Sequence, residues 1–274
     1  GSTSPPPSLT GATMVGKSTK VTLASAGEIA RYGSGDDARS APAGQKLIAF
    51  QVSYGPGDVS SSGGTRASLV IDGSTPRDLP SASGDTYVVA AIPSGASAVV
   101  SLVDGGFTQT LGLPDGKPGN ANIAVLRRAN KTGYVGQTKT VIFKISGGGR
   151  SGSAPVSATA TYSSLAFWAS GNPAVHPASP ANALLYVKLN YKYKIKPDGK
   201  TYGFDPAVVR MNLGSGKFVK ARNIATQADK IQNVFEVPAD FTSGTLEIQG
   251  SEKSGKTTLT IASTVSFLVR IRNS

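Results

Sequence analysis

Apolar and polar residues alternate most clearly over Leu47-Ile48-Ala49-Phe50-Gln51-Val52-Ser53-Tyr54. In an extended strand, Ile48, Phe50, Val52 and Tyr54 share one side, and Leu47 and Ala49 the other. The pattern returns at Leu184-Leu185-Tyr186-Val187-Lys188-Leu189-Asn190-Tyr191. Each run follows a Ser-Gly pair and a proline-containing loop: Ser34-Gly35 with Pro42, then Ser170-Gly171 with Pro177 and Pro180. The offset is 136 residues at the Ser-Gly pair and 137 along the strand, a long-period repeat with one inserted residue. Downstream, Val88–Pro93 matches Asn233–Pro238, and Ile123–Arg128 matches Phe267–Arg272 as terminal strands.

Within the first copy, strands are predicted near residues 18–24, 27–32, 46–54, 66–72, 86–92, 97–103, 107–112 and 121–128. Between them stand turn residues such as Asp72-Gly73, Asp104-Gly105-Gly106 and Asp115-Gly116, with Asp198-Gly199 in the second copy. The one weakly helical stretch runs from Asn223 to Val234. About seven short antiparallel strands per copy predict an all-β chain of two tandem immunoglobulin-like antiparallel β-sandwich domains related by duplication. Their expected extents are residues 9–130 and 131–274, with residues 1–8 read as a tag scar and linker.

Composition sharpens this picture. Glycine (33) and proline (17) are plentiful and only 16% of residues are charged, which suits strands and tight turns better than helices. No apolar run approaches the length of a membrane-spanning helix. A membrane anchor is expected upstream of Thr3, outside this chain. With no cysteine, disulfides, thiolate metal sites and cysteine nucleophiles are excluded.

The loop and strand Ala41-Pro42-Ala43-Gly44-Gln45-Lys46-Leu47-Ile48-Ala49-Phe50 resemble the telokin-like, immunoglobulin-like domains of bacterial exported proteins. Ile92-Pro93-Ser94-Gly95-Ala96 through Asp104-Gly105-Gly106-Phe107-Thr108-Gln109-Thr110-Leu111 is similar to extracytoplasmic regions of high-GC Gram-positive membrane proteins. The resemblance rests on core and turn positions. It implies a fold and an extracytoplasmic, membrane-tethered location, and brings no catalytic residues.

Candidate chemistry is sparse. Gly250-Ser251-Glu252-Lys253-Ser254-Gly255-Lys256-Thr257 fits the phosphate-binding P-loop pattern, which needs a following helix. Here Thr258-Leu259-Thr260-Ile261 follows, a strand pattern, so a turn is expected. His176 is the sole histidine, which removes two-histidine metal sites; it is expected to be an ordinary loop residue. Asp36-Asp37, the one adjacent acidic pair, is expected to be solvated loop, and Trp168 a core residue. No cofactor is expected, and the chain is read as non-enzymatic.

Charge separates the two copies. Residues 1–130 hold 10 Lys/Arg and 9 Asp/Glu, a net +1; residues 131–274 hold 18 and 7, a net +11. Along Val187–Lys196, Lys188, Asn190, Lys192, Lys194 and Lys196 share one face of a strand, and Leu189, Tyr191, Tyr193 and Ile195 the other. Such a row attracts polyanions; exposed lysines also deter edge pairing and keep a protein soluble. Arg210, Lys217, Lys220 and Arg222 follow on the next predicted hairpin and are expected to widen the row. The tyrosines point away from the lysines, so a nucleic-acid partner is not expected. The expected partner is a protein, an anionic envelope polymer or a lipid surface, bound by a non-catalytic scaffolding ectodomain. The alternative is a structural subunit of a surface or virion-like assembly.

Overall fold

The computed structural model describes residues 5–59, 64–82, 86–170, 172–193, 208–222 and 232–271. The chain is all-β, divided into two compact units, Gly1–Arg127 and Arg128–Ser274. The first contains β1 (Thr13–Val15), β2 (Thr19–Ile29), β3 (Arg31–Tyr32), β4 (Arg39–Ser40), β5 (Gln45–Pro56), β6 (Ser68–Ile71), β7 (Arg77–Asp78), β8 (Val88–Pro93), β9 (Ala98–Asp104) and β10 (Phe107–Gly112). The second contains β11 (Thr132–Gly147), β12 (Arg150–Ala166), β13 (Asn182–Tyr193), β14 (Val209–Asn212), β15 (Phe218–Lys220), β16 (Gln232–Pro238), β17 (Ser243–Ile248), β18 (Ser251–Ser254), β19 (Thr257–Ile261) and β20 (Val265–Arg270).

In the first unit two four-stranded antiparallel sheets, ordered β1-β2-β5-β8 and β10-β9-β6-β7, share one core. Met14, Val21, Leu23, Ile48, Phe50 and Val52 of one sheet meet Leu69, Val100, Leu102 and Leu111 of the other. These are the alternate residues of their strands, and their burial supplies the main driving force for folding. Polar groups bind the two sheets where strands end. Gln109, 1% exposed, donates its amide to the Val15 carbonyl and accepts from the Ile123 N–H. The Asn122 side chain exchanges both of its hydrogen bonds with the Thr110 backbone, standing in for a neighbouring strand. Pro6 is buried, the Pro7 carbonyl accepts from Ala26 N–H and Ser8 bridges Ser25, so this segment lies along β2.

In the second unit a six-stranded antiparallel sheet, β16-β13-β12-β11-β19-β18, accompanies a four-stranded one, β15-β14-β17-β20. The inner face of the larger sheet carries Val141, Phe143, Val156, Ala158, Ala160, Leu185, Val187 and Phe235, all buried. The smaller sheet buries Val209, Met211, Leu246, Ile248, Phe267 and Val269. At their junction the Gln137 amide pairs with both backbone groups of Leu268, and the Ser163 hydroxyl donates to the Arg270 carbonyl. With β3–β4 and β18–β19 set aside, the eight remaining strands of each unit follow one order in both sheets: β1-β2-β5-β8 parallels β11-β12-β13-β16, and β10-β9-β6-β7 parallels β20-β17-β14-β15.

Three expectations need correction. The predicted strands 18–24 and 27–32 are largely one, β2, with an irregularity between Leu23 and Ser25. Ile123–Arg128 is not a terminal strand: Ala124–Arg127 is a 3₁₀ turn that buries Val125 and Leu126. The counterpart of β20 in the sheet order is therefore β10, and the hairpin β18–β19 intervenes only in the second unit. Of the expected helical stretch, residues 223–231 lie outside the described residues, and Gln232–Val234 belong to β16.

Candidate functional site

The outward face of the six-stranded sheet is built on β13. Its alternation places Lys188, Asn190 and Lys192 in solvent, with Val187 and Leu189 buried on the other side. Lys188 and Lys192, four residues apart, stand roughly 13 Å from one another along the strand. Lys194 and Lys196 lie outside the described residues.

β11 and β12 extend the face as a long hairpin. The ladders fix three rows across it: Tyr134, Tyr162, Lys188; then Thr138, Thr159, Asn190; then Thr140, Ser157, Lys192. In the middle row the Thr138 and Thr159 hydroxyls are 2.9 Å apart and hydrogen-bonded. Beyond the third row come exposed Ile142 and Lys144, and Thr258 and Lys253 continue the same side onto β19 and β18. Irregularities in β11, between Tyr134 and Gln137, and in β12, between Ala160 and Tyr162, keep the face continuous. Each strand shifts register there, so Ser163 points inward to β20 while Tyr162 stays outward.

Tyr134 and Tyr162 are directly opposite one another, 73% and 43% exposed. Gly136 helps to set this. It has φ +60°, a backbone state that favours glycine, and a side chain there would collide with the Tyr134 ring. Sequence reasoning missed both tyrosines, although they overturn the expectation that no aromatic residue shares the lysine face. Alternation about β12 places Tyr162 there only once the extra residue at Thr161 is counted.

At its other end the face closes. Leu184, Tyr186, Val234 and Ala169 form a small satellite core against which Val175 of the following loop packs. Burial there raises the Tyr186 hydroxyl pKa above its ordinary value of 10.0. Trp168 is 2% exposed and meets Phe167 edge-on at 5.0 Å, as a core residue does. His176 lies parallel to the Phe167 ring at 6.0 Å, and its Nδ1 is 2.8 Å from the Pro177 carbonyl.

Three of the remaining predicted cations are not in the row, and the fourth, Arg222, bridges Val234 of β16 on the same side at the covered end. Arg210, Lys217 and Lys220 belong to the β14–β15 hairpin of the smaller sheet. Arg210 pairs with Glu247 through Nε and Nη2, each 2.8 Å from Oε2, and stacks over Phe218 at 3.8 Å. Arg222 pairs with Glu236 at 3.1 Å, and Asn182 donates to the other oxygen of that carboxylate. Both guanidinium groups thus have structural partners, and Lys217 and Lys220 stay exposed. Among the described residues the open face holds Lys144, Lys188, Lys192 and Lys253 and no carboxylate; Glu236 sits at the loop-covered end and Glu252 on the opposite side of β18.

Elsewhere the chemistry is thin. The P-loop-like segment forms the hairpin of β18 and β19 around Gly255, with no helix behind it. Asp36 and Asp37 lie in an exposed 3₁₀ turn, and no three metal-ligating side chains gather among the described residues. No helix among the described residues is long and apolar enough to cross a membrane.

Compared with known proteins, the chain matches no family model, no curated protein and no solved structure.

Proposed function

We propose that the chain is a non-catalytic binding and scaffolding module of the bacterial cell envelope, made of two immunoglobulin-like sandwiches that arose by duplication. The shared strand order supports the duplication. After the first strand of each unit, the order reads A-B-E in one sheet and G-F-C-C′ in the other, which supports the immunoglobulin-like assignment. The extracytoplasmic, membrane-tethered location rests on the resemblance of the Ala41–Phe50 and Ile92–Leu111 segments to telokin-like exported domains.

The observation that carries the binding role is the open sheet face with four lysines and no described acid. A flat surface of one charge raises the local concentration of a polyanion and binds it in a salt-dependent way. The first unit, close to neutral, serves as spacer and support. The test is retention at low salt on anionic vesicles and on an anionic cell-wall polymer. Lys188→Glu/Lys192→Glu is expected to abolish it; a variant retained like the parent chain overturns the assignment.

A further inference from the structure

The row Tyr134, Tyr162, Lys188 narrows the class of polyanion, on the assumption that the basic face is the binding surface. Most exposed large apolar side chains need no explanation singly. Here three of those described, Tyr134, Tyr162 and Ile142, share one face with the lysines. Neither tyrosine is covered, and an exposed aromatic ring combines an apolar face with a hydroxyl that suits a half-wet contact.

We infer that the outward face of the six-stranded sheet binds an acidic polysaccharide, with Tyr134 and Tyr162 as the stacking platform for a sugar ring. Directly opposite residues on paired antiparallel strands are roughly 5 Å apart at Cβ, so the two exposed side chains stand in one row of the face, with the Tyr134 ring beside Gly136. A pyranose presents an apolar C–H face that stacks on an exposed aromatic ring. The adjoining rows offer what its edges need: Thr138, Thr159, Thr140, Ser157 and Asn190 are donors and acceptors for sugar hydroxyls. Lys188 stands beside the tyrosines and Lys192 two rows on, placed for carboxylates that recur along a chain.

A single-stranded nucleic acid fits less well. It needs successive separate stacking stations in a basic groove, and phosphate recognition favours arginine. The described face is a sheet surface with one row of exposed aromatic residues and four open lysines, and the arginine on the same side, Arg222, is held by Glu236 at the loop-covered end. A bilayer would meet charge but leave the hydroxyl rows without a role.

The experiment uses the whole chain on immobilised polygalacturonate, with dextran, polyphosphate, oligo-dT and anionic vesicles as comparison probes. Polygalacturonate is expected to bind and neutral dextran not. Tyr134→Ala/Tyr162→Ala is expected to weaken polygalacturonate binding about tenfold and to leave polyphosphate binding unchanged. Tyr134→Phe/Tyr162→Phe, which keeps the rings, is expected to bind nearly as the parent does. Unaltered Trp168 fluorescence shows that each variant is folded. If the alanine pair binds polygalacturonate as the parent does, the stacking platform is overturned while the basic-face reading stands. Tighter, tyrosine-dependent binding to oligo-dT, or binding to vesicles alone, replaces the sugar by another ligand and overturns it too. Failure to bind any anionic probe removes both readings.

Discussion

Asp104 is the polar group on which the first unit should depend most. It ends β9, and its carboxylate reaches the start of β2 in the opposite sheet. Oδ2 accepts from Ser18 N–H at 2.7 Å and Thr19 N–H at 2.9 Å, and Oδ1 from the Ser18 hydroxyl at 2.9 Å. Asp104 is 7% exposed and Thr19 0%, so water cannot replace the acceptor. Gly16 lies against the carboxylate, and any side chain there would collide with it. In Asp104→Ala two backbone donors lose their partner, at about 1–3 kcal/mol each, a total near 4 kcal/mol. With an m value of about 2 kcal/mol/M, the urea midpoint of the first unit should fall by about 2 M. Asp104→Asn keeps one acceptor and should lose about half as much. Trp168, the sole tryptophan, is buried in the second unit, so its fluorescence is an internal control while far-ultraviolet circular dichroism follows both units. An unchanged first transition, or a shift in the Trp168 signal instead, would refute the assignment of Asp104 as the tie between sheets.

Other expectations concern both units. Arg210→Ala leaves Glu247, 9% exposed, without its cation, and should cost the second unit about 3 kcal/mol in urea unfolding while sparing polyanion binding; lost binding with unchanged stability would return Arg210 to the site. The Tyr54 hydroxyl donates to the Leu79 carbonyl and accepts from Ala67 N–H, so Tyr54→Phe should cost about 1–2 kcal/mol in the same measurement. Burial raises the Tyr54 pKa above 10.0, so the folded state holds the proton that the unfolded chain releases. Its stabilising contribution is full below about pH 10 and is lost as pH rises through the folded-state value. Urea midpoints measured across that range should fall more steeply in the parent than in Tyr54→Phe; equal slopes would contradict the assignment. Gly136→Ala must adopt φ +60° and displace the Tyr134 ring, costing about 1 kcal/mol and weakening polygalacturonate retention; full retention would show that the ring position is immaterial.

Much of the architecture is legible in the sequence because β5 and β13 sit between neighbouring strands and carry a period-two pattern whose inward residues reach the core. The same alternation is enough to set Lys188, Asn190 and Lys192 on the outward side of β13. Other features depend on contacts that no local pattern records. Ile123–Arg128 looks like a strand because Val125 and Leu126 are buried, yet burial alone does not distinguish a 3₁₀ turn from a ladder. The β11–β12 hairpin is rich in Ser, Thr, Ala and Gly, so its alternation is weak, and its two irregularities hide the pairing of Tyr134 with Tyr162. Arg210 reads as a free surface cation until β17, 37 residues later, brings Glu247 beside it.

The most direct measurement is a backbone and side-chain chemical-shift titration of the whole chain with a short oligogalacturonate. Perturbations should gather at Tyr134, Thr138, Thr159, Tyr162, Lys188 and Lys192 and saturate together. Perturbations confined to the first unit or to the Arg210–Lys220 hairpin, or none at saturating oligomer, would contradict a polyanion-binding face on the six-stranded sheet.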